Sequence, residues 1–409
     1  MQLCPTPYNG IRQMQIKSPN GVFSSPVLGS NKLLNVYAVT KRKIAMEDID
    51  FYSLKDELKV LMLSTTLKGD TICVAKTSGM AGDVYIFDQG ENVASRYVCI
   101  KVPKLIEGIS KDDIAKRFVQ ELENQLDYYH NSFVNWAFDF KVVMGVPVAL
   151  FRYWGSDLDK VIKSGAASEI EKLSLVYYTC LGLTHCYDNG LICHQDLKPG
   201  NIFIRDLRES LRESPNLDVY KFAMVADFGL ANAFIKYSYF EGTRPYIAPE
   251  QWNKEALSPK TDMFALGVII YELLSNGFHP VGIKLADYWP EPLEGNTRKW
   301  LRSNTWKAWV RSGCQIMSEN ENVSEECKIF IQRMLSIVPS ERPDVHEVKA
   351  FLLEQIKKRC VDSYSQIIAI ESQLGSSGKC EPLESFHPHL HNVWTSFKAR
   401  FGEFSGKGI

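Results

Sequence analysis

A short polar turn between two apolar runs holds the first residues whose types and spacing suit a reaction. In the stretch ICHQDLKPGNIFI, residues 192–204, Asp196 is followed by Lys198 and Asn201, and a Pro-Gly pair forces a turn. A carboxylate can accept a hydroxyl proton, a cation can steady a phosphate, and an amide oxygen can bind a metal ion. An ordinary polar turn has the same composition, so other parts of the chain are needed to choose between the two interpretations.

A second acidic residue lies at the end of an apolar strand. The predicted strand FAMVA runs directly into DFG, residues 227–229, which places the Asp227 carboxylate at the strand end with a glycine hinge after it. Mg²⁺ prefers one or two carboxylates together with phosphate oxygens, so Asp227 suits a divalent cation that faces a phosphate. D-F-G alone is too short to establish this role.

Two glycines and a lysine precede these residues in the chain. In SGMAGDVY, Gly79 and Gly82 lie in a turn between two strands, where the missing side chains let backbone N–H groups approach a phosphate. A plain hairpin is the alternative. Lys101 lies within the apolar strand VCIK and needs a partner, because an unpaired buried charge is costly. The next helix offers Glu121 or Glu123.

The composition is that of a globular chain without a net electrostatic preference. It has 409 residues, 45% apolar and 23% charged, with a formal net charge of -1. No overall field attracts nucleic acid or an anionic membrane, so we expect neither as a partner. The ten cysteines include no C-x-x-C pair, which favours a reducing, cytoplasmic setting over a disulfide framework or a zinc ribbon. Without an apolar run of about 18 residues, no membrane span is predicted.

Periodicity predicts a strand-rich region followed by a helical one. Period-2, β-branched runs over 71–102 predict a small antiparallel sheet. Apolar residues at helical spacing predict helices at 114–126, 173–186, 262–274 and 325–335. The polar turn and the D-F-G therefore lie after the second of these predicted helices and before the third.

The span from about residue 68 to 358 carries seven short motifs in an ordered series. In chain order they are GMAGDV, VCIK, HQDLKPGN, DFG, APE, DMFALG and ERPD. In this order and at this spacing they resemble the signature set of the eukaryotic-type protein kinases. The resemblance implies an α+β, two-lobed fold with ATP in the cleft. A small antiparallel β-rich N-lobe with one main helix would span about 68–153, and a larger, mostly helical C-lobe about 154–358.

Two segments flank this span. Residues 1–67 are an N-terminal extension of unknown role that includes the helix-like piece DIDFYSLKDELKVLML. Residues 359–409 are a polar C-terminal tail, for which we expect a short appendage with a frayed end at GEFSGKGI.

The resemblance assigns roles to the polar turn and the D-F-G. Asp196 resembles the base that orients the substrate hydroxyl, and Asn201 and Asp227 resemble the two Mg²⁺ ligands. Lys198 in DLKPGN is typical of the serine/threonine form of this loop, in which its cation reaches the transferred phosphate. Thr243 stands where family members support the loop. The implied partner is a protein substrate with a serine or threonine acceptor.

Lys101 resembles the lysine that holds the α- and β-phosphates of ATP. Glu121 is the preferred partner, since Phe118 lies three residues before it, as a phenylalanine often does in the family. Gln125 then falls where the family usually packs a leucine, which keeps Glu123 open as the alternative.

The remaining nucleotide contacts fall on the glycine turn and on VALFRYWGSDL. Gly79 and Gly82 match the second and third glycines of the family loop, Thr77 replaces the first, and Val84 follows in the next strand. In VALFRYWGSDL, Phe151 resembles the gatekeeper, the backbone groups of Arg152 and Trp154 would face adenine, and Asp157 would lie near the ribose.

Three function classes compete for this pattern. Small-molecule phosphotransferases share the Asp and Asn but usually lack a Gly-Thr…A-P-E segment, which this chain has in EGTRPYIAPE. A pseudokinase acting as a nucleotide-binding scaffold is the second alternative. Because Lys101, Asp196, Asn201 and Asp227 are all retained, an active Ser/Thr kinase that uses ATP and Mg²⁺ is favoured.

Gln195 departs from the family pattern. Most regulated members have an arginine before the catalytic Asp, and it pairs with a phosphate on the activation segment, which the resemblance places between DFG and APE, residues 227–250. A neutral amide offers that phosphate a much weaker partner. We therefore hypothesise that the segment is held by its own packing, through Phe234 and Phe240, and that activity needs no phosphorylation of Tyr237, Ser238 or Tyr239.

Two further groups have structural interpretations. Glu250 and Arg342 resemble the buried ion pair of the family, which is not catalytic. The tryptophans at 289, 300, 306 and 309 are expected to pack in the core of a helical insert, and a binding surface is the alternative.

Overall fold

A computed structural model describes most of the chain. It covers residues 50–79, 82–91, 93, 95–208, 216–285, 303–317, 320–375 and 379–402, without the side chains of 303–305. Most of the predicted N-terminal extension, residues 1–49, therefore lies outside the described part.

The small lobe is a five-stranded antiparallel sheet covered by helices. Its strands are β1 (Ile72–Ser78), β2 (Gly82–Asp88), β3 (Tyr97–Pro103), β4 (Asp139–Val143) and β5 (Val146–Arg152), in the order β1-β2-β3-β5-β4. This confirms the predicted sheet. In the register of β2 and β3, Val84 lies opposite Lys101, so the two side chains are on the same face of the sheet.

Residues 50–67 belong to the core of the small lobe. The helix-like stretch forms a 3₁₀ turn at Phe51–Ser53 and then helix α1 (Asp56–Ser64). Phe51 and Leu63 are buried in one apolar cluster with Tyr85 of the sheet. The compact unit thus begins before residue 68, where the motifs begin, because these apolar side chains complete the sheet's core.

Helix α2 (Lys111–Leu126) packs against β5 and β3 and confirms the predicted helix. It begins after Ser110, whose side chain accepts a hydrogen bond from the Asp113 backbone N–H. The four predicted apolar positions are all buried: Ile114, Phe118, Leu122 and Leu126. Burial of this stripe sets the rotation of the helix, and with it the direction of its polar residues.

The large lobe is mostly helical, as predicted. Its helices are α3 (Leu158–Ser164), α4 (Glu169–Asp188), α5 (Ala233–Tyr237), α6 (Pro249–Trp252), α7 (Pro259–Leu274), α8 (Ser303–Arg311), α9 (Glu325–Met334) and α10 (Val345–Arg359). Helices α4 and α7 are buried along most of their length and form the centre of the core. Trp306 and Trp309 are buried in this core, as expected, whereas Trp289 and Trp300 lie outside the described residues.

A second, three-stranded sheet positions the polar turn. It consists of β6 (Ser156–Asp157), β7 (Ile202–Asp206) and β8 (Lys221–Val225), all antiparallel, with Ile202 opposite Val225. Because β7 and β8 run in opposite directions, the turn before β7 and the D-F-G after β8 lie at the same end of the sheet.

The C-terminal segment differs from the polar tail that was expected. It forms helices α11 (Val361–Leu374), α12 (Leu383–Phe386) and α13 (Pro388–Lys398). Ile367 and Ile370 join the core of the large lobe, whereas α13 packs on the small lobe. The polar composition concealed apolar residues at helical spacing, which bury one face of each longer helix. Residues 403–409 of the expected frayed end lie outside the described part.

No helix in the described ranges is long and apolar enough to cross a bilayer.

Candidate active site

The side chains of Asp196, Lys198 and Thr243 form one hydrogen-bonded group. Lys198 Nζ donates to Asp196 Oδ2 at 2.6 Å and to Thr243 Oγ1 at 2.9 Å, and the Thr243 hydroxyl donates to Asp196 Oδ1 at 2.6 Å. Asn201 Nδ2 is 3.3 Å from Asp196 Oδ2. A carboxylate has about four acceptor sites, so these three donors orient Asp196 and leave a site on Oδ1 for a further hydroxyl.

The backbone of this turn is held by Asp262 of α7, whose role the sequence analysis missed. Its carboxylate accepts hydrogen bonds from the backbone N–H groups of His194, at 2.8 Å, and Gln195, at 3.3 Å. Burial raises the pKa of the Asp262 carboxyl above its ordinary value. An aspartate directly before the apolar run MFALGVII was the signal in the sequence, because a buried acid needs donors.

Asp227 follows β8 in a left-handed backbone conformation, with φ of 65°. Its Oδ1 lies 3.7 Å from Lys101 Nζ. Desolvation acts to raise the pKa of Asp227, but the positive charges of Lys101 and Lys198 outweigh it and lower this pKa below its ordinary value. The Asp227 carboxylate is therefore ionised at neutral pH and positioned beside the lysine.

Asn201 and Asp227 offer oxygen atoms of the kind that Mg²⁺ prefers. The N–H of Ala226, the residue before Asp227, donates to the Asn201 carbonyl at 2.9 Å. The Asn201 amide nitrogen donates to the Asp196 carbonyl, which assigns the amide orientation and leaves the amide oxygen as an acceptor. One amide oxygen and one carboxylate fit this metal. Among the described residues, no group of three or more His, Cys, Asp or Glu side chains could hold another metal ion.

Lys101 forms an ion pair with Glu121. The two side chains are 16% and 12% exposed, so the pair is screened only weakly by solvent. Burial by itself lowers the pKa of the Lys101 ammonium, but the charges of Glu121 and Asp227 raise it above its ordinary value. The structure therefore places a lysine that stays charged between two carboxylates.

Glu123, the alternative partner, points elsewhere and pairs with Lys398 of α13. Gln125, at the position where the resemblance implied leucine, is buried and donates to the Asn135 carbonyl at 2.8 Å. Its amide thus has a partner, so the departure from leucine leaves α2 in place.

Gly79 and Gly82 close the turn between β1 and β2. The Gly79 N–H donates to the Gly82 carbonyl at 2.8 Å. A Cβ on Gly82 would lie 2.6 Å from the Val102 carbonyl oxygen, so any side chain there would push β2 away from β3. This packing requirement is a reason for glycine that is separate from nucleotide binding, and the phosphate contact stays a prediction.

Phe151 of β5 belongs to the apolar cluster that includes helix α2. It lies opposite Cys99 in the register of β3 and β5, on the same face of the sheet as Lys101. Its side chain is buried in one cluster with Phe118 and Leu122 of α2. This position agrees with the gatekeeper role that the resemblance implied.

The segment after Phe151 connects the lobes. Arg152 is the last residue of β5, and Trp154 Nε1 donates to Asn135 Oδ1 at 2.8 Å. Asp157 caps α3, with Oδ1 accepting the Lys160 backbone N–H at 2.9 Å. The structure thus gives the Asp157 carboxylate a capping role, and its contact with a ribose stays a prediction.

Comparison with known families identifies this arrangement. A family model described as protein kinase domain matches residues 78–351, which is more than half of the chain. The chain belongs to the protein kinase family. The predicted α+β, two-lobed fold is confirmed.

Several curated kinases are similar to this one at low identity. A calcium/calmodulin-dependent protein kinase type I from Schizosaccharomyces pombe is 28% identical over 238 residues, which cover 57% of this chain and 63% of the relative. Calcium-dependent protein kinase 7 from Oryza sativa subsp. japonica is 27% identical over 277 residues, 66% of this chain and 45% of the relative. The ovarian-specific serine/threonine-protein kinase Lok from Drosophila melanogaster is 26% identical, with 48% and 37% covered. The matches thus span less than two thirds of each relative.

The activation segment of this kinase is tied to the catalytic turn through Gln195. Its side-chain Nε2 donates to the Tyr239 carbonyl at 2.8 Å, and its Oε1 accepts the Phe234 N–H at 2.9 Å. The rings of Phe234 and Phe240, expected to hold the segment, lie 6.2 Å apart. The amide therefore adds two direct bonds to the packing that was expected.

A second side-chain amide, that of Gln251, bonds the C-terminal part of the activation segment to the catalytic turn. Gln251 Nε2 donates at 2.9 Å to the carbonyls of both Gln195 and Glu241. A Cβ on Gly242 would lie 2.7 Å from the Gln195 oxygen and 2.7 Å from Gln251 Nε2. Glycine at position 242 is thus required for the close contact between segment and turn.

The kinase's buried ion pair supports the end of the segment. Arg342 donates to both Glu250 oxygens, at 2.7 and 2.8 Å, and both residues are buried. A bidentate geometry of this kind is what a buried pair needs to offset its desolvation.

Proposed function

We propose that this kinase transfers the γ-phosphate of ATP to a serine or threonine hydroxyl of a protein, with Mg²⁺ as cofactor. The observation that carries the proposal is the hydrogen-bonded group of Asp196, Lys198 and Thr243. Its geometry gives the base, the cation and the supporting hydroxyl one shared orientation, which is the main requirement of phosphoryl transfer.

The residues would divide the work as follows. Asp196 Oδ1 would accept the hydrogen of the incoming hydroxyl, and Lys198 would neutralise charge on the phosphoryl oxygens. Asn201 and Asp227 would hold Mg²⁺, and Lys101, tethered by Glu121, would hold the α- and β-phosphates. Bound Mg·ATP supplies the phosphoryl group and the metal charge that neutralises it.

The choice of serine and threonine rests on two supports. Lys198 and Thr243 contact each other beside the base, in the form that the sequence predicted. The relatives named above include one described as a serine/threonine-protein kinase. We extend this specificity to the present chain as part of the proposal.

We further propose that the kinase works without phosphorylation of its activation segment. The support is the neutral contact of Gln195 with the segment backbone at Phe234 and Tyr239, which uses no phosphate. A backbone bond to a side-chain amide is present as soon as the chain folds, so no separate modification step is required.

A cytoplasmic setting is proposed on the cysteines. All those in the described residues are free thiols, among them the buried Cys180, Cys186 and Cys193. Free buried thiols are compatible with a reducing compartment. Fractionation of expressing cells tests this proposal, and recovery of the kinase in another compartment would contradict it.

The activity is tested with the purified chain. We would incubate it with Mg·ATP and generic protein acceptors and map phosphosites by mass spectrometry. Phosphoserine or phosphothreonine that appears with the wild type and not with Asp196→Asn supports the proposal. Nucleotide binding without transfer, under conditions where a known kinase labels the same acceptors, would favour the pseudokinase scaffold instead.

A further inference from the structure

The segment 379–402, which we name the C-terminal strap, lies outside the family match and contacts both lobes. On the large lobe, the Cys380 N–H donates to Asn189 Oδ1 at 2.6 Å, at the end of α4. Between the lobes, the Tyr129 hydroxyl donates to the Glu381 carbonyl at 2.8 Å. The strap then reaches the small lobe with helix α13.

Helix α13 inserts apolar side chains into the small lobe. Leu390, Trp394 and Phe397 are 2%, 8% and 3% exposed. The rings of Trp394 and Phe397 lie 4.8 Å and 5.5 Å from the ring of Phe140 in β4. Aromatic contacts at these distances contribute beyond the area that they bury. The strap is therefore part of the small-lobe core.

The same cluster includes the helix that carries Glu121. Phe118, Val119 and Leu122 of α2 are buried together with the aromatic residues of α13. Phe118 and Leu122 flank Glu121 in the sequence, three residues before it and one after it. Their packing thus fixes α2 at the level of the carboxylate that pairs with Lys101.

An ion pair adds a polar contact to this packing. Lys398, at the end of α13, pairs with Glu123 of α2. Both side chains are about one-third exposed, at 36% and 33%, so this pair contributes less than the buried rings. It ties the two helices together.

We propose that Trp394 and Phe397 are positioning residues that hold α2 so that Glu121 reaches Lys101. This inference rests on the proposed role of Lys101 in holding the phosphates of ATP. Without the two rings, the cluster that contains Phe118, Val119 and Phe140 is left incompletely packed, and α2 loses apolar contacts that keep it against β3 and β5. An outward shift of α2 breaks the ion pair, because charge pairs depend steeply on distance in a buried site.

The test compares two double variants of the full chain. The strap variant is Trp394→Ala with Phe397→Ala. The matched control is Phe330→Ala with Phe351→Ala, because these rings stack at 3.9 Å in the large lobe, away from α2. Both variants remove two aromatic rings from an apolar cluster, and the melting temperature of each variant measures its general loss of stability.

Two readouts are measured on folded protein. The first is the rate at which an amine-reactive acylating reagent labels Lys101, with Lys221 of β8, which pairs with Glu171 at 2.7 Å, as internal reference, quantified by peptide mass spectrometry. In the ion pair the Lys101 side chain is only 16% exposed, so a lysine released from Glu121 becomes more accessible to the reagent. The second readout is kcat and KM for Mg·ATP with a protein acceptor.

We expect the strap variant to label at Lys101 at least about fivefold faster and to lose about tenfold or more in kcat/KM for ATP. The control should change neither value beyond about twofold at a similar loss of melting temperature. Trp394→Phe should restore most of both values, because a ring still fills the site. Unchanged Lys101 labelling in a folded strap variant would overturn the proposal.

If the double variant does not fold, the milder Phe397→Leu variant is measured in its place. Faster labelling of Lys101 in Phe397→Leu supports the proposal, and a labelling rate equal to that of the wild type overturns it. If the wild type transfers no phosphate, the proposed function fails, whereas the labelling comparison still tests the strap. The two failures are therefore distinguishable.

Discussion

Asp196 is surrounded by hydrogen-bond donors, and this determines what can be expected of its variants. Thr243 and Lys198 each bond one carboxylate oxygen at 2.6 Å. Asp196→Asn keeps the shape but replaces one oxygen with an amide that cannot accept a proton. We expect turnover to fall by about 10²–10⁴, with Mg·ATP affinity near that of the wild type.

Steady-state kinetics and nucleotide titration check this expectation. Asp159→Asn is the matched control, because Asp159 forms a helix-surface pair with Lys163 at 2.9 Å. It should keep the wild-type rate. Phosphoryl transfer at the same rate in Asp196→Asn and Asp159→Asn would contradict the assignment of the base.

Gln195 supports a second residue-scale prediction. Gln195→Ala removes both side-chain bonds to the segment and leaves the Phe234 N–H and the Tyr239 carbonyl without them. A backbone polar group left without its hydrogen-bond partner costs up to about 1–3 kcal/mol. We therefore expect the ordered conformation of the activation segment to be less populated and kcat to fall about tenfold.

Gln332 is a close control for this change. Its side chain also bridges two backbone groups, accepting from the Ile316 N–H at 2.9 Å and donating to the Cys314 carbonyl at 3.2 Å, in a part of the large lobe away from the turn. Gln332→Ala should lower stability without lowering kcat. Equal kcat values for the two variants would show that Gln195 does not order the segment.

At the scale of elements, the activation segment should need no phosphate. The triple variant Tyr237→Phe, Ser238→Ala, Tyr239→Phe removes these three hydroxyls and keeps the backbone bonds of Gln195. We expect it, and phosphatase-treated wild type, to retain most of the rate toward a protein acceptor. A fall of about a hundredfold in both, with circular dichroism unchanged, would mean that another basic residue receives a phosphate.

The loop after α7 gives an element-scale prediction for pH. His279 is fully buried, accepts the Val281 N–H at Nδ1 and bonds the Pro245 carbonyl through Nε2, so the ring is the neutral Nε2–H form. Burial lowers its pKa from 6.5 to about 4. Between pH 6.5 and about 4, His279 is therefore protonated in the unfolded chain and neutral in the folded chain. Because the proton favours the unfolded chain, the free energy of unfolding decreases as the pH falls through this range.

Urea unfolding at several pH values measures the effect. Relative to His279→Gln, the wild type should lose about 3 kcal/mol of unfolding free energy between pH 6.5 and 4, and nothing between pH 7 and 8. If the free energies of unfolding of the two proteins changed with pH in the same way, the fold would not keep His279 neutral, and the prediction would be wrong.

At the scale of the whole molecule, nucleotide should bind to both lobes. Lys101 belongs to the small lobe and Asp227 to the large one, and their side chains lie 3.7 Å apart. Ligand that binds only the folded chain adds about 2.7 kcal/mol at about 100 times its Kd. We expect Mg·ATP to raise the melting temperature by several degrees.

Thermal unfolding with and without chelator checks this prediction. Asp227→Ala removes the carboxylate proposed for Mg²⁺ and should abolish the metal-dependent part of the shift, while ATP alone has the same small effect on both proteins. An equal shift in wild type and Asp227→Ala, with Mg²⁺ present, would rule out Asp227 as the ligand.

Much of the site was predictable because its residues lie close together in the chain. Asp196, Lys198 and Asn201 occupy one turn, and a short turn brings its own side chains together whatever surrounds it. The strands within 71–102 and the helices at 114–126, 173–186, 262–274 and 325–335 followed from periodicity, since apolar spacing reports directly which face is buried. The family resemblance then rested on motif order, which is itself a property of the sequence.

The contacts between distant segments came only from the tertiary structure. Glu121 and Glu123 lie on one helix, and the sequence left both open for Lys101 because the rotation of that helix depends on how it packs. Asp262 and Gln195 likewise meet their partners across 67 or 39 residues of chain. Contacts between residues so far apart in the chain leave no periodic pattern in the sequence.

The C-terminal strap shows the same division most clearly. Its sequence alone determined an overall polar composition, from which we expected a tail, and a few apolar residues at helical spacing, which give no indication of their partner. Which lobe covers Trp394 and Phe397 was decided by the apolar side chains of α2 and β4, which only the folded small lobe brings together. Burial is a property of two surfaces, and the sequence of the strap describes one of them.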